Sequence, residues 1–270
     1  MGKKNSNPYK KERVMSIIYP VLFAVLLLVA WQSQILHHIL GTDTFTLPLP
    51  GRILTIRRDN YSKILTDVFS TLIVALIGLL CGSILGYLLA ILATALPKWG
   101  IGGLNLASAF SAVPIIAIAP IMTNLTKDVS EDPNIRSMVA KILVVMLTCT
   151  VSMSTNAYRG FIELKPFSKD LMKSYAADAW TIFRKLRIPN CMPYIFTALK
   201  VSVPASIISA LVSEYFAEYI IGVGRQIREN IVLAQYATAW AYIITACLMG
   251  IIMYGILMLA ETIMLKGRKK

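Results

Sequence analysis

Residues 65–96 contain one charged side chain, Asp67, and no proline. At the 1.5 Å rise of an α-helix that run is about 48 Å long, more than the ~30 Å hydrocarbon core of a bilayer. A water-soluble domain has nowhere to bury such a segment. The composition agrees, with 56% hydrophobic residues, 15% charged residues and a mean hydropathy of +0.65. Together these exclude a soluble fold and predict an all-α polytopic membrane protein, because a lipid-exposed backbone must satisfy its own hydrogen bonds. The run itself reads as one long tilted helix. Along it Gly78, Gly82 and Gly86 recur every four residues, which sets them on one face where a neighbouring backbone can approach closely. The alternative is that glycine is simply common in membrane helices.

Taking about 20 apolar residues per crossing, the sequence predicts six spans, at residues 16–36, 65–96, 104–123, 135–158, 194–219 and 236–265. The first is a retained anchor, since the basic start (Lys3, Lys4, Lys10, Lys11, Arg13) runs into apolar residues 14–31 with no A-x-A-like cleavage site. Residues 41–63, broken by Pro48 and Pro50, are amphipathic and expected outside the bilayer core. The expected organisation is an N-terminal unit at 1–64 (anchor helix and extracytoplasmic amphipathic segment), then a helical membrane core at 65–270 whose long polar loop lies at 160–193. Pro114 and Pro120 interrupt the third span and free backbone carbonyls at membrane depth. That suits a helix beside a pathway, and equally a kinked packing helix. Glu214 and Glu218 share a face near the far end of the fifth span and are expected at an outer mouth or paired with Arg225 or Arg228. The pathway candidates are therefore Pro114, Pro120, Glu214 and Glu218. Residues 220–230 read as a short glycine-hinged loop.

The formal charge of +13 does not signal nucleic acid, because the basic residues cluster beside apolar spans without aromatic interleaving. Seventeen of the 27 lysines and arginines fall in segments that an even number of spans puts on the side of the N-terminus. That bias predicts a multi-pass plasma-membrane protein with both termini cytoplasmic. The outside set includes Lys141, and the basic stretch 51–63 runs against the trend. Cys81, Cys149, Cys191 and Cys247 are scattered without a C-x-x-C, and His37–His38 reads as an interfacial pair, so no metal site, disulfide framework or cofactor is expected.

Residues 170–193, DLMKSYAADAWTIFRKLRIPNCMP, are the most polar break between apolar blocks. Leu171, Tyr175, Ile182 and Leu186 recur at helical spacing and predict one apolar face, with Lys173, Arg184, Lys185 and Arg187 elsewhere. A helix pair of this kind rests its apolar face on the membrane domain and presents Met172, Lys173, Ser174, Ala176 and Ala177 to a soluble partner. Ala176 and Ala177 leave room for a turn, and Pro189 and Pro193 are expected to stop the second helix before it re-enters the membrane. The competing reading is an amphipathic helix lying on lipid headgroups.

Asp170, Ala176, Leu186, Ile188, Pro189 and Pro193 stand at the spacing of the cytoplasmic loop of ABC-importer permeases, E-A-A, three residues, G, nine residues, I-x-L-P, and the stretch resembles it. The likeness extends along the chain. TLPLPGRIL (46–54), SAVPIIAIAPIM (111–122), NAYRG (156–160), WTIFRKLRIPNCMPYIFTALK (180–200), Glu214 and Gly222-Val223-Gly224 are similar, in order, to segments of nitrate/sulfonate/taurine importer permeases. There are departures: Asp170-Leu171-Met172 replaces E-A-A, Ala176 replaces the glycine, and LTKDVSEDPN replaces a short F-G-I-G-E turn. The resemblance implies a type I importer permease that works as a homodimer or an unequal pair on two ABC ATPase subunits, fed by an extracellular solute-binding protein and surrounded by membrane lipid. It also implies ATPase coupling through Asp170, Leu171, Met172, Lys173, Ser174, Tyr175, Ala176, Ala177, Leu186, Ile188 and Pro189. The implied cargo is a small solute: nitrate, a sulfonate or taurine, or a vitamin precursor. The chain has no G-x-x-x-x-G-K-[ST] to cradle ATP, no H-E-x-x-H and no G-x-S-x-G, which argues against an enzyme. A secondary carrier working without an ATPase is the alternative, but it calls for an internal repeat and mid-membrane ionisable residues that the sequence does not display.

Overall fold

The computed structural model describes residues 8–96, 98, 100–110, 112–216 and 221–266, and every regular element among them is a helix. In order they are α1 (Pro8–Gln32), α2 (Ile35–Leu40), α3 (Pro50–Asp59), α4 (Tyr61–Ala95), α5 (Gly100–Phe110), α6 (Ile115–Leu125), α7 (Pro133–Ile162), α8 (Ser168–Ser174), α9 (Ala179–Ile182), a π-helical turn (Phe183–Arg187), α10 (Ile188–Phe216), α11 (Val223–Val232) and α12 (Tyr236–Leu265). Four helical runs are long and apolar enough to cross a membrane: α4, α7, Ala179–Phe216 and α12. Two shorter apolar helices, Ile18–Gln32 and Ile115–Leu125, accompany them.

The centre is α4 packed along α7, with α10 laid against both. Glycine makes this closeness possible. A Cβ at Gly78 would lie 2.5 Å from Val145 Cβ, at Gly82 2.5 Å from the Met146 carbonyl oxygen, and at Gly86 2.5 Å from the Thr150 carbonyl oxygen. In a bilayer, where lipid tails are as apolar as leucine, such backbone-to-backbone fit is a main source of helix association. Around it Val74, Leu79, Val145, Cys149, Val203, Ile207 and Tyr242 form the buried core. Lys200 on α10 and Glu261 on α12 join these helices through an ion pair of 2.7 Å.

The expected third span, 104–123, is not one helix. α5 ends at Phe110 and α6 starts at Ile115, with Pro114 in extended geometry (φ −60°, ψ 131°) before it. Proline biases the preceding residue away from helical geometry and offers no N–H of its own, so the helix breaks there, and Pro120 falls inside α6. The first expected span also ends early, because Gln34 takes a left-handed conformation (φ 64°) between α1 and α2. Within the expected loop at 220–230, residues 223–230 are helical instead, since α11 runs over Val223–Val232. Lys141 is no outside-loop charge either; it is buried within α7.

The N-terminal unit is tied to α12. Trp31 meets Trp240 edge-on at 5.6 Å, and the Trp240 indole N–H donates to the Thr46 carbonyl at 3.1 Å. His37 Nε2 donates to the Leu47 carbonyl at 2.6 Å. His37 is thereby buried while His38 stays exposed.

Gly82→Leu should force α4 and α7 apart, because no rotamer avoids the Met146 carbonyl. The expected result is a destabilisation at or above the roughly 1–3 kcal/mol of ordinary overpacking, read as a lower unfolding temperature and loss of the monodisperse peak in detergent. Unchanged behaviour of the variant would show that this contact does not hold the pair together.

Candidate functional site

The polar stretch after α7 folds into a compact loop whose base is fastened at both ends. Asn190 Nδ2 donates to the carbonyls of Gly160 (2.8 Å) and Glu163 (3.0 Å), and the Tyr194 hydroxyl donates to Glu163 Oε2 at 2.9 Å. At Gly160 a Cβ would stand 2.8 Å from the Cys191 Cα, so the end of α7 and the start of α10 run in direct backbone contact. Rings then continue the connection. Tyr87 on α4 lies 5.5 Å from Phe161 on α7, Phe161 lies 5.4 Å from Phe183, and Phe183 stacks with Trp180 at 6.1 Å. This aromatic row, each step within the range of favourable ring pairs, runs from the membrane core into the loop without a gap.

Within the loop, α8 is closed by a Schellman motif. The Ala176 N–H bonds the Lys173 carbonyl at 2.8 Å, and the Ala177 N–H bonds the Met172 carbonyl at 3.1 Å. Ala176 takes the left-handed position of that motif, φ 54°. A residue with a Cβ is held there at a cost of about 1–2 kcal/mol, which explains why the permease pattern reserves the position for glycine. Asp178 then starts α9 by accepting from the Thr181 N–H at 3.3 Å. Hydrogen bonding from Thr181 keeps its carboxyl below the ordinary range.

Two expectations fail here. Leu171 and Tyr175 do not pack inward: they are 59% and 79% exposed, whereas Ile182 is buried and Leu186, Met172 and Ala177 are half-buried. The helical phase is reset at Ala176, so a face counted through it does not exist. Pro189 and Pro193 do not stop a helix either, because residues 179–216 form one helical run. Its π-helical turn, where the Ile188 N–H reaches back to the Phe183 carbonyl, widens the backbone ahead of the Pro189 ring and accommodates it. Asp170, Lys173, Ser174 and Ala176 are exposed, and Ile188 and Pro189 are half-buried at the loop base.

A second constellation lies at the other end of the bundle. The first turn of α11 has no side-chain cap of its own, since the residue before it is Gly222. Three other residues supply one. The Gly222 N–H bonds Asp67 Oδ1 (3.1 Å), the Val223 N–H bonds Thr71 Oγ1 (3.0 Å), and the Gly224 N–H bonds Glu214 Oε2 (2.9 Å). The Thr71 hydroxyl donates into the Glu214 carboxylate (2.9 and 3.0 Å to its oxygens), and the Tyr242 hydroxyl donates to Asp67 Oδ2 at 2.8 Å. Both carboxylates sit at the positive end of the α11 dipole, and Lys141, buried on α7, makes no ion pair with either among the described residues. Gly222 is required twice over: its φ of 130° suits glycine, and a Cβ there would fall 2.4 Å from the Glu214 carboxyl carbon.

Glu214 is therefore fully buried and does not line an outer mouth. Arg225 pairs with Glu229 at 3.4 Å, and Arg228 stacks on Tyr215 at 5.6 Å. Glu218 lies outside the described residues. An apolar cavity of about 340 Å³ lies between α6, α10 and α11, to which Ile116, Tyr215 and Ile227 contribute; Pro114, before α6, and Pro120, inside it, do not line it. Sequence reasoning passed over Asp67, Thr71, Lys141 and Tyr242. The available signal was Asp67 itself, the lone charge in an apolar run, which must find partners inside the protein.

A family model described as binding-protein-dependent transport system inner membrane component matches residues 82–264. The chain is 26% identical over 260 residues to the formylaminopyrimidine transport permease protein ThiX of Halalkalibacterium halodurans, covering 96% of this chain and 99% of that protein. It is 22% identical over 224 residues to probable ABC transporter permease proteins of Brucella melitensis biotype 1 (82% of this chain, 87% of that protein) and Brucella abortus strain 2308 (82% and 86%).

Two substitutions probe these geometries. Ala176→Gly should relieve the left-handed strain and slow hydrogen exchange at the Ala176 and Ala177 amides, corresponding to a gain of about 0.5–1 kcal/mol after the larger unfolded-state freedom of glycine is allowed for. Faster exchange would mean the alanine carries no strain. Glu214→Leu should unpair the Gly224 N–H, at about 1–3 kcal/mol for the orphaned donor, leave the Thr71 hydroxyl only the Asp67 carbonyl at 3.1 Å, and lower the unfolding temperature more than Glu214→Gln, which keeps one acceptor. Equal effects of the two would refute the capping role.

Proposed function

The chain belongs to the binding-protein-dependent transport system inner membrane component family, and on that premise we propose that it carries a small vitamin-precursor solute of the formylaminopyrimidine kind through a pathway gated by separate ATPase subunits. As a member it is a multi-pass permease of an ABC importer and not an enzyme, ATP hydrolysis belonging to other subunits. The solute reading is supported by similarity to a formylaminopyrimidine permease along nearly the whole of both chains; nitrate, taurine and sulfonates are the competing cargo.

The observation that carries the mechanism is the fastened loop at residues 160–193. A joint that transmits force must be stiff, and this one combines backbone contact at Gly160, the two Asn190 hydrogen bonds and the aromatic row into α4 and α7. In the proposed cycle its exposed outer side, Leu171, Ser174, Tyr175 and Ala176, seats in a groove of the ATPase, and closure of the ATPase pair rocks α4, α7 and α10 between two packings. Asp170, Met172, Lys173, Ala177, Leu186, Ile188 and Pro189 shape and anchor that side. The loop end faces the cytoplasm together with both termini, residues 1–64 form an accessory unit beside the 65–270 core, and a second permease subunit and an extracellular binding protein complete the assembly. Pro114, Pro120 and the cavity beside Tyr215 belong to the pathway side of α6 and α10.

Cysteine-directed cross-linkers at Ser174→Cys and Tyr175→Cys should capture an ATPase subunit from native membranes. Ala176→Glu, which puts a charge on the seated surface, should lower solute-stimulated ATP hydrolysis and uptake together by roughly tenfold or more while leaving the binding protein's affinity unchanged. Normal transport by Ala176→Glu, or absence of any capture, would remove the coupling assignment. Uptake of labelled formylaminopyrimidine set against nitrate and taurine decides the cargo.

A further inference from the structure

Behind the coupling loop, on its membrane side, lies a cleft of about 570 Å³ between α8, α9, the π-helical turn and the end of α4. Lys169 and Lys173 stand one helical turn apart on α8, and Arg187 comes from the π-helical turn; all three line the cleft, and no acidic residue does. None of the three takes part in an ion pair among the described residues. Leu171, Ser174, Tyr175 and Ala176 are not among the residues that line the cleft, so what occupies it does not compete for the surface assigned to the ATPase.

The floor of the cleft is apolar, and its direction is informative. Ile91 and Ala95 line it, and with Ile84 and Leu88 they follow the 4-3-4 spacing of one helical stripe. Ile84 and Leu88 are exposed, so the stripe leads from the three cations along the outside of α4 toward the middle of the bilayer. Trp180, also in the lining and 65% exposed, is the residue type that settles at headgroup depth. Cations at one end, an indole at the rim and an open apolar track leaving the other end match an amphiphile with an anionic head.

We propose that this cleft binds the phosphate headgroup of an anionic phospholipid of the leaflet on the loop side, with one acyl chain laid along Leu88 and Ile84. The assignment rests on placing the loop at the cytoplasmic membrane surface. Lysine and arginine near such a surface contribute about 1 kcal/mol each toward anionic lipid. A lipid held here wedges α8 against α4 and stiffens the loop from behind.

The test is lipid retention by the purified full-length permease, followed by native mass spectrometry during titration with phosphatidylglycerol or phosphatidylcholine. Wild type should retain one phosphatidylglycerol per chain and show no matching preference for phosphatidylcholine. Removal of all three charges (Lys169→Gln, Lys173→Gln and Arg187→Gln together) should weaken that binding roughly fivefold per charge, whereas Lys169→Arg with Lys173→Arg, which keeps the charge, should leave it intact. Equal retention by wild type and the neutralised variant, equal affinity for phosphatidylcholine, or full displacement by millimolar inorganic phosphate would each overturn the lipid assignment, the last by showing a site for free phosphate. Failure of an ATPase to co-purify, with lipid retention unchanged, would overturn the coupling reading alone.

Discussion

The first turn of α11 presents backbone N–H groups below the outer surface of the bundle, where neither water nor a capping residue of its own is available. Asp67 and Thr71 from α4 and Glu214 from α10 meet them, and Tyr242 from α12 locks Asp67 in turn. Unpaired, each of those groups would cost several kcal/mol in so apolar a setting. The arrangement makes every partner conditional on the others: the carboxylates are tolerable because helix N–H groups and the Thr71 and Tyr242 hydroxyls meet them, and the helix start is tolerable because the carboxylates are there. Four helices are thereby committed to one register at that end.

The opposite end is organised by contact instead of charge. Glycines at 78, 82, 86 and 160 bring α4, α7 and α10 to backbone distance, and the rings of Tyr87, Phe161, Phe183 and Trp180 carry the packing outward into the loop. Close-packed interiors switch between discrete arrangements and do not deform smoothly. In the proposed cycle a push delivered at α8 reaches the helices as a change of packing, and the hydrogen-bonded node at the far end is what they turn against.

How far the sequence disclosed this depended on whether the relevant signal was local. The unbroken apolar runs of α4 and α12 were legible, and residues 236–265 were bounded as the helix is. So was the four-residue glycine period, whose face is the one turned toward α7. The break at Pro114 was not, because a hydropathy window sums residues on both sides of a turn without charges to mark it. α11 read as loop because its helix start is capped by residues 10 and about 150 positions away in the chain, a stabilisation no local window contains. The face of α8 was misassigned because one alanine with positive φ rotates everything beyond it, and alanine gives no warning where glycine would. Glu214 and the Gly222-Val223-Gly224 segment were visible as fragments of a family pattern; only the fold explains their pairing, since the carboxylate occupies the space a side chain at 222 would need.

The distributed cap also bears on how the chain is made. Asp67 emerges from the ribosome early, on a helix that must enter the bilayer long before Glu214, Gly222 or Tyr242 has been synthesised. A lone carboxylate at helix centre opposes insertion by about 2.5–3.5 kcal/mol, less where it lies near the interface, and the 35-residue length of α4 gives enough apolar surface to override it. Glu214 faces the same wait on α10. The residues that cap the start of α11 thus come from α4 and α10, made before it, and the last of the set, Tyr242, comes after it, so this end of the bundle can close only once α12 has been made.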